Sequence, residues 1–225
     1  MEFSNNHLTK FYWAVLLVLF LPILSMPDST MGVMIVLVAY LVIIAGAVHS
    51  MTRKITVAGS RLTQKNIFKE DSIRIIPESK IYICQNLQSF YFLYRHYNYS
   101  IKIVNPNQTL KINANVNNAD DLYHLVAQLE QTVVMPVLVE RFIDKGFIKM
   151  DETLSINTTG LSYKNKTYSY DKLSAIELKN GHLHLMANGK LWQSNVLVLP
   201  VANIPNLRTF MTLLNHNELV DHQAA

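Results

Sequence analysis

The chain has a single cysteine, Cys84, among 225 residues, which excludes an intramolecular disulfide framework and any cysteine-built zinc or iron–sulfur cage. Its alternating neighbourhood, Lys80-Ile81-Tyr82-Ile83-Cys84, predicts a buried thiol in a strand. Glycine is scarce too: seven residues lie scattered, and no loop among them could cradle a phosphate. Charged residues make up 16% of the chain, and two long stretches, Phe11 to Pro27 and Ser29 to Thr52, have no acid, lysine or arginine at all. His49, at the very edge of the second, is the one residue within them that ionises near neutral pH, which argues against an ion path or proton relay built from these stretches alone.

At about 1.5 Å per residue the two stretches reach roughly 25 and 36 Å, against a hydrocarbon core of about 30 Å. Pro27, Asp28, Ser29 and Thr30 join them, so the spans return antiparallel as a transmembrane helical hairpin over residues 1–50. Pro22 kinks or shortens the first span. Leu24-Ser25-Met26-Pro27 lacks the small-x-small cleavage pattern and a second span follows, so the hairpin reads as an uncleaved anchor. Arg53, Lys54, Arg61, Lys65 and Lys69 follow the second span and Lys10 precedes the first, whereas the connecting loop carries Asp28. Both termini are therefore expected in the cytoplasm, with the chain multi-pass in the inner (plasma) membrane. Phe11, Tyr12 and Trp13, next to Lys10, suit an interfacial aromatic belt.

The formal net charge of +4 is unevenly spread: residues 1–49 are net −1, residues 50–111 net +7 and residues 112–225 net −2. The basic region thus follows the anchor directly, where anionic headgroups attract it at about 1 kcal/mol per basic residue. Its lysines and arginines are scattered through strand-like sequence without a recognition helix, which argues against nucleic acid as a partner.

Beyond Ser50 the hydrophobic period changes from helical to twofold, as in Ser72-Ile73-Arg74-Ile75-Ile76 and Tyr99-Ser100-Ile101-Lys102-Ile103. Ala58-Gly59-Ser60, Pro77-Glu78-Ser79 and Asn105-Pro106-Asn107-Gln108 supply the turns. A helix capped by Asn118 follows, with Leu122, Leu125, Val126 and Leu129 on one face. Strands recur at Thr153 to Asn157, Leu161 to Lys164, Thr167 to Tyr170, Leu173 to Lys179, His182 to Ala187, Leu191 to Gln193 and Val196 to Leu199. Asn180-Gly181 and Asn188-Gly189 are hairpin signals among them. Asn203 then caps a second helix, with Pro205 in its first turn. Asn118, Leu122, Leu125, Val126 and Leu129 each find a like residue 85 positions later, in Asn203, Leu207, Phe210, Met211 and Leu214, the mark of a duplicated unit. The expected units are 51–135 and 136–225, joined by a helix from Val133 to Asp144 that ends at Gly146.

Seven short strands closed by one helix, with Asn180-Gly181-His182-Leu183-His184-Leu185, Gly189-Lys190-Leu191-Trp192 and the helix from Asn203 to Leu214, resemble the plan of pleckstrin-homology-like domains. With a membrane hairpin in front, the chain is similar to bacterial membrane proteins of unknown function that carry such units. The resemblance implies an α+β fold of two antiparallel sheet-and-helix units and supplies no catalytic residue. Phe210 stands where the better-known members of that fold carry tryptophan, and the basic-x-arginine element of their phosphoinositide sites is absent.

No chemistry can be nominated directly. The eight histidines include no pair with zinc-helix spacing around a glutamate, and His182 and His184 on one strand face lack a third ligand nearby. Asp120-Asp121 and Asp151-Glu152 read as a helix start and a solvated turn, not an acid/base couple. No serine sits in a nucleophile elbow. The aromatic stretch Phe90, Tyr91, Phe92, Tyr94, Tyr97 and Tyr99 offers either cross-strand packing or a partner surface. With no catalytic, cofactor-binding or metal residue assigned, the expectation is a non-catalytic, membrane-anchored interaction module whose partners are the lipid bilayer and another protein. A sensor of anionic lipid headgroups is the alternative, and an unrecognised hydrolase or transferase the remaining one.

Overall fold

The computed structural model describes residues 1–4, 7–20, 30–90, 94–114, 116–188 and 193–214. The chain divides into two compact units, residues 1–72 with 115–119, and residues 73–114 with 120–225.

In the first unit a short strand β1 (Glu2–Ser4) comes before the two apolar helices α1 (His7–Phe20) and α2 (Thr30–Thr52), and β2 (Lys54–Ala58) and β3 (Arg61–Lys65) come after them. β1 is antiparallel to β2, with Phe3 opposite Ile55 and Ser4 opposite Lys54, and the sheet runs in the order β1-β2-β3-β4, with β4 at Glu70–Arg74. The helices are therefore inserted between two paired strands. Phe3, Ile55, Val57 and Leu62 alternate into the buried side of the sheet, the period of two that the sequence shows after Ser50. The Met1 ammonium donates to the Val57 carbonyl at 2.8 Å, and the Asn117 amide to the Ser4 carbonyl at 2.9 Å, so β1 is held from both ends.

Trp13 of α1 lies over Gly46 of α2, where a Cβ would run into the indole ring. Window Gly32–His49 of α2 is long and apolar enough to cross a membrane. Its surface is apolar all round, with Met34, Ile35, Leu41 and Val42 about 60% exposed. The expected first span continues past Phe20 through Pro22 to Pro27, and residues 21–29 lie outside the described residues.

The second unit begins with a three-stranded sheet, β5 (Lys80–Phe90), β6 (Tyr94–Asn105) and β7 (Gln108–Ala114). Ile81, Ile101, Ile103, Leu110 and Ile112 form its buried face. Helix α3 (Ala119–Leu129) passes through a π-helical turn (Glu130–Val134) into α4 (Met135–Lys145), which Gly146 ends in a left-handed conformation, φ 63°. The combined run, Ala119–Lys145, also meets the length and apolarity of a span. Its apolar face is spent inside the unit, where Leu122, Val126, Val134 and Phe142 are buried.

A second four-stranded sheet, ordered β11-β10-β9-β8, contains β8 (Phe147–Lys149), β9 (Leu154–Asn157), β10 (Gly160–Tyr163) and β11 (Lys166–Ser169). A second three-stranded sheet follows, β12 (Leu173–Lys179), β13 (His182–Asn188) and β14 (Gln193–Pro200), and then helix α5 over residues 207–214. Ile148, Leu154, Ile156, Leu161, Leu183, Leu185, Leu199 and Phe210 fill the core between them. Four strands, three strands and a helix thus occur twice in the same order.

Three expectations need correction. Val196 to Leu199 is part of a longer strand, Gln193–Pro200, which takes in Gln193 of the expected strand before it and whose pairing to β13 shifts between Leu185 and Met186; Leu191 and Trp192 lie outside the described residues. Asn203 ends a 3-10 turn rather than capping the helix. Ile204 and Pro205 are buried first, and Asn206, at φ 50°, precedes α5, whose first bond runs from the Phe210 amide to the Asn206 carbonyl at 2.8 Å. The helix correspondence shifts with it. Asn118, at φ 57°, precedes α3 as Asn206 precedes α5, and the fully buried Leu122 then matches the fully buried Phe210.

Candidate functional site

Asn206 and Glu130 are buried polar residues that bind distant segments of the second unit together. The Asn206 side chain accepts from the Ile81 amide at 2.9 Å and donates to the Ser79 carbonyl at 3.0 Å, while its own amide donates to the Ile81 carbonyl at 2.8 Å. It completes the end of β5 as another strand would. An N-cap side chain ordinarily accepts an amide of the first helical turn, and Asn206 is committed elsewhere. Glu130 takes that duty: its carboxylate accepts from the Thr209 amide at 2.8 Å and the Thr209 hydroxyl at 3.0 Å, at the positive end of α5. Burial pushes the Glu130 carboxyl above its ordinary value, against the pull of these bonds and of Arg208.

Two open clefts flank this frame. One, of about 650 Å³, is lined by residues that include Ile81, Ile83, Tyr99, Tyr123, Leu207 and Arg208, with the Asn180-Gly181 turn at its rim. Tyr99 and Tyr123 stack with centroids 5.0 Å apart and planes 13° apart, and the Arg208 guanidinium sits 5.8 Å from the Tyr123 ring. The Tyr99 hydroxyl donates to Asp120 at 2.7 Å and accepts from Gln85 at 3.1 Å, so the stack is fixed before any ligand arrives. An aromatic wall with one cation suits an amphipathic segment.

The other cleft, of about 480 Å³, uses the opposite face of the β5–β7 sheet. Tyr82, Lys102 and Lys111 form one row across three strands, with the Lys102 ammonium 5.3 Å from the Tyr82 ring. Lys164 and Asp151 line the same space. Two lysines directly opposite each other on paired strands repel, and an anion between them relieves that cost. The Tyr82 phenol is raised by burial and then by the charges of Asp151 and Glu152.

Cys84, expected to be buried, is half-buried; alternation places it opposite Ser100 on the Tyr82 face, in the second cleft, and it also borders the first. Asp151 accepts from the Thr153 amide at 2.6 Å and the Leu154 amide at 2.8 Å, closing the turn before β9. The rings of His182 and His184 are 6.3 Å apart, and among the described residues no three of His, Cys, Asp and Glu gather as a metal set. Of the aromatic stretch, Tyr99 is buried in its stack, and Tyr91 and Phe92 lie outside the described residues. Sequence reasoning missed Glu130, Arg208 and Tyr123, since each sits in a helical pattern that fully accounts for it. The Lys102–Lys111 facing was readable once the Asn105 to Gln108 turn fixed the register.

The model of one protein family, described as a family of unknown function (DUF6585), matches residues 2–223. No curated protein and no solved structure matches the chain.

Proposed function

For a chain that belongs to DUF6585, a family of unknown function, we propose the role of a membrane-anchored, non-catalytic interaction module. The observation that carries this reading is the apolar α1–α2 pair set between paired strands β1 and β2, its large side chains turned outward. Such a surface is costly in water and suited to lipid. In this reading the pair is a transmembrane hairpin in the inner (plasma) membrane, both termini are cytoplasmic, and the two runs of four strands, three strands and a helix are pleckstrin-homology-like units. The pre-set Tyr99–Tyr123–Arg208 wall supports a protein segment as ligand, and the polar groups beside it, Asp120, Gln85 and Glu130, are occupied in holding the fold. The Lys102–Lys111 pair supports the alternative, an anionic lipid headgroup.

The test is photocrosslinking in intact cells, with a benzophenone side chain at Gln85 for the first cleft and at Lys111 for the second. A discrete protein adduct from Gln85 is the expected result. Lipid adducts from Lys111 with none from Gln85 would favour the headgroup reading, and no adduct at either position would remove both.

A further inference from the structure

The turn between β3 and β4 carries two apolar side chains in the open. Ile67 is 56% exposed and Phe68 77%, the latter the most exposed aromatic residue among those described. The turn is built, not slack: Asn66 Oδ1 accepts from the Phe68 amide at 2.9 Å and from the Lys69 amide at 2.7 Å, and the Asn66 amide donates to the Lys69 carbonyl at 2.9 Å. Asn66 turned inward on its own backbone leaves Ile67 and Phe68 at the tip.

Register places that tip. Ser4 faces Lys54 and Lys54 faces Lys65, so these three residues form one edge row of the first unit's sheet. Both apolar helices meet the sheet at this edge, because α1 begins just after Ser4 and α2 ends just before Lys54. β3 runs toward the same edge and its turn continues past it. Counted along the chain, the tip at residues 67 and 68 stands at most roughly 7 Å beyond the row, two residues from each strand end at about 3.3 Å per extended residue. The last turn of α2, below Lys54, occupies a similar depth.

Basic side chains flank the tip. Lys65 pairs with Glu70 at 3.2 Å and Lys69 with Asp71 at 2.9 Å, both lysines more than half exposed, so their long stems can lie along an apolar surface while the ammonium groups stay wet. Two exposed apolar residues between lysines, level with the foot of a membrane helix, have one solvent that suits all of them: the headgroup–acyl boundary.

We propose that the Asn66–Lys69 turn is a second membrane contact, inserting Ile67 and Phe68 into the interface of the leaflet through which α1 and α2 emerge. The inference rests on reading α1 and α2 as membrane-embedded. Beside the two helices it adds a third point of attachment, which fixes the tilt of the β1–β4 sheet on the membrane as well as its distance from it.

The experiment uses the full chain in vesicles of three parts phosphatidylcholine to one part phosphatidylglycerol. A Cys84→Ser background carries one environment-sensitive fluorophore at a time, on Phe68→Cys, Ile67→Cys, Leu37→Cys in the middle of α2, or Ala58→Cys at the opposite edge of the sheet. At positions 67 and 68 the emission is expected to shift to the blue and to be quenched several-fold more by lipid with a shallow nitroxide than by lipid with a deep one. Position 37 should show the reverse preference and position 58 no quenching. Positions 67 and 68 matching position 58 while 37 is quenched would overturn the turn proposal and leave the anchor standing. An unquenched position 37 would overturn both. Blue-shifted emission at 67 and 68 without quenching by either lipid would mean a protein covers the turn, and would also overturn the proposal.

Discussion

Each four-stranded sheet opens with a strand of three residues, β1 in one and β8 in the other, and each such strand pairs with the next. What joins the pair differs. Between β8 and β9 stand residues 150–153, closed by the Asp151 carboxylate on two backbone amides. Between β1 and β2 stand residues 5–53, which contain both apolar helices. An antiparallel pair needs only a short turn, and the entropy of closing a longer loop grows slowly with its length. The α1–α2 pair is thus an expansion of one connection in a repeated plan.

Replacing residues 5–53 with residues 150–153 tests this most severely. The shortened chain is expected to move from the membrane pellet to the supernatant and to melt cooperatively by far-ultraviolet circular dichroism. Loss of cooperative melting would show that β1–β2 pairing depends on the helices. Smaller in effect, Asn206→Gly and Asn118→Gly compare the residues that precede α5 and α3. Both positions are left-handed and suit glycine, but only the buried Asn206 bonds strand β5. Asn206→Gly should cost on the order of 3 kcal/mol for two buried hydrogen bonds, and Asn118→Gly less than about 0.5 kcal/mol, read by thermal unfolding in mild detergent. Equal losses would show that the bonds of Asn206 to Ile81 and Ser79 add no stability.

Smaller again is Glu130, which caps α5 from a distance. Glu130→Ala strands the Thr209 amide and hydroxyl and should cost about 1–3 kcal/mol. Because burial raises the folded carboxyl, the folded state binds the proton more tightly than the unfolded one. Its contribution is therefore full below the ordinary value of 4.5 and declines as pH rises through the raised folded value. Glu130→Gln keeps the acceptor oxygen and should flatten that slope, which unfolding midpoints measured from pH 4 to 8 would show.

The apolar helices and most strands were legible because each follows from a local period: unbroken apolar sequence, or alternation bounded by turns such as Ala58-Gly59-Ser60. β1 was not, since Glu2-Phe3-Ser4 is too short to show a period and its partner Ile55 lies on the far side of two helices. Local pattern starts helix α5 three residues early, because Asn203 before Pro205 is a sound local start. The choice of Asn206 is made by Ser79 and Ile81, far away in sequence. The clefts were invisible for the same reason: Tyr99, Tyr123 and Arg208 each have a local explanation, and meeting is a property of the fold.

One junction has a mechanical consequence. Arg53 alone separates the last residue of α2 from the first of β2. A Gly/Ser tether would let the sheet swivel freely at the end of the helix, whereas here α2 acts as a lever welded to a plate. In the proposed membrane-embedded reading, a thinner or thicker bilayer that leans the helix would lean β2 with it, and bilayer thickness would become an input that the sheet can feel.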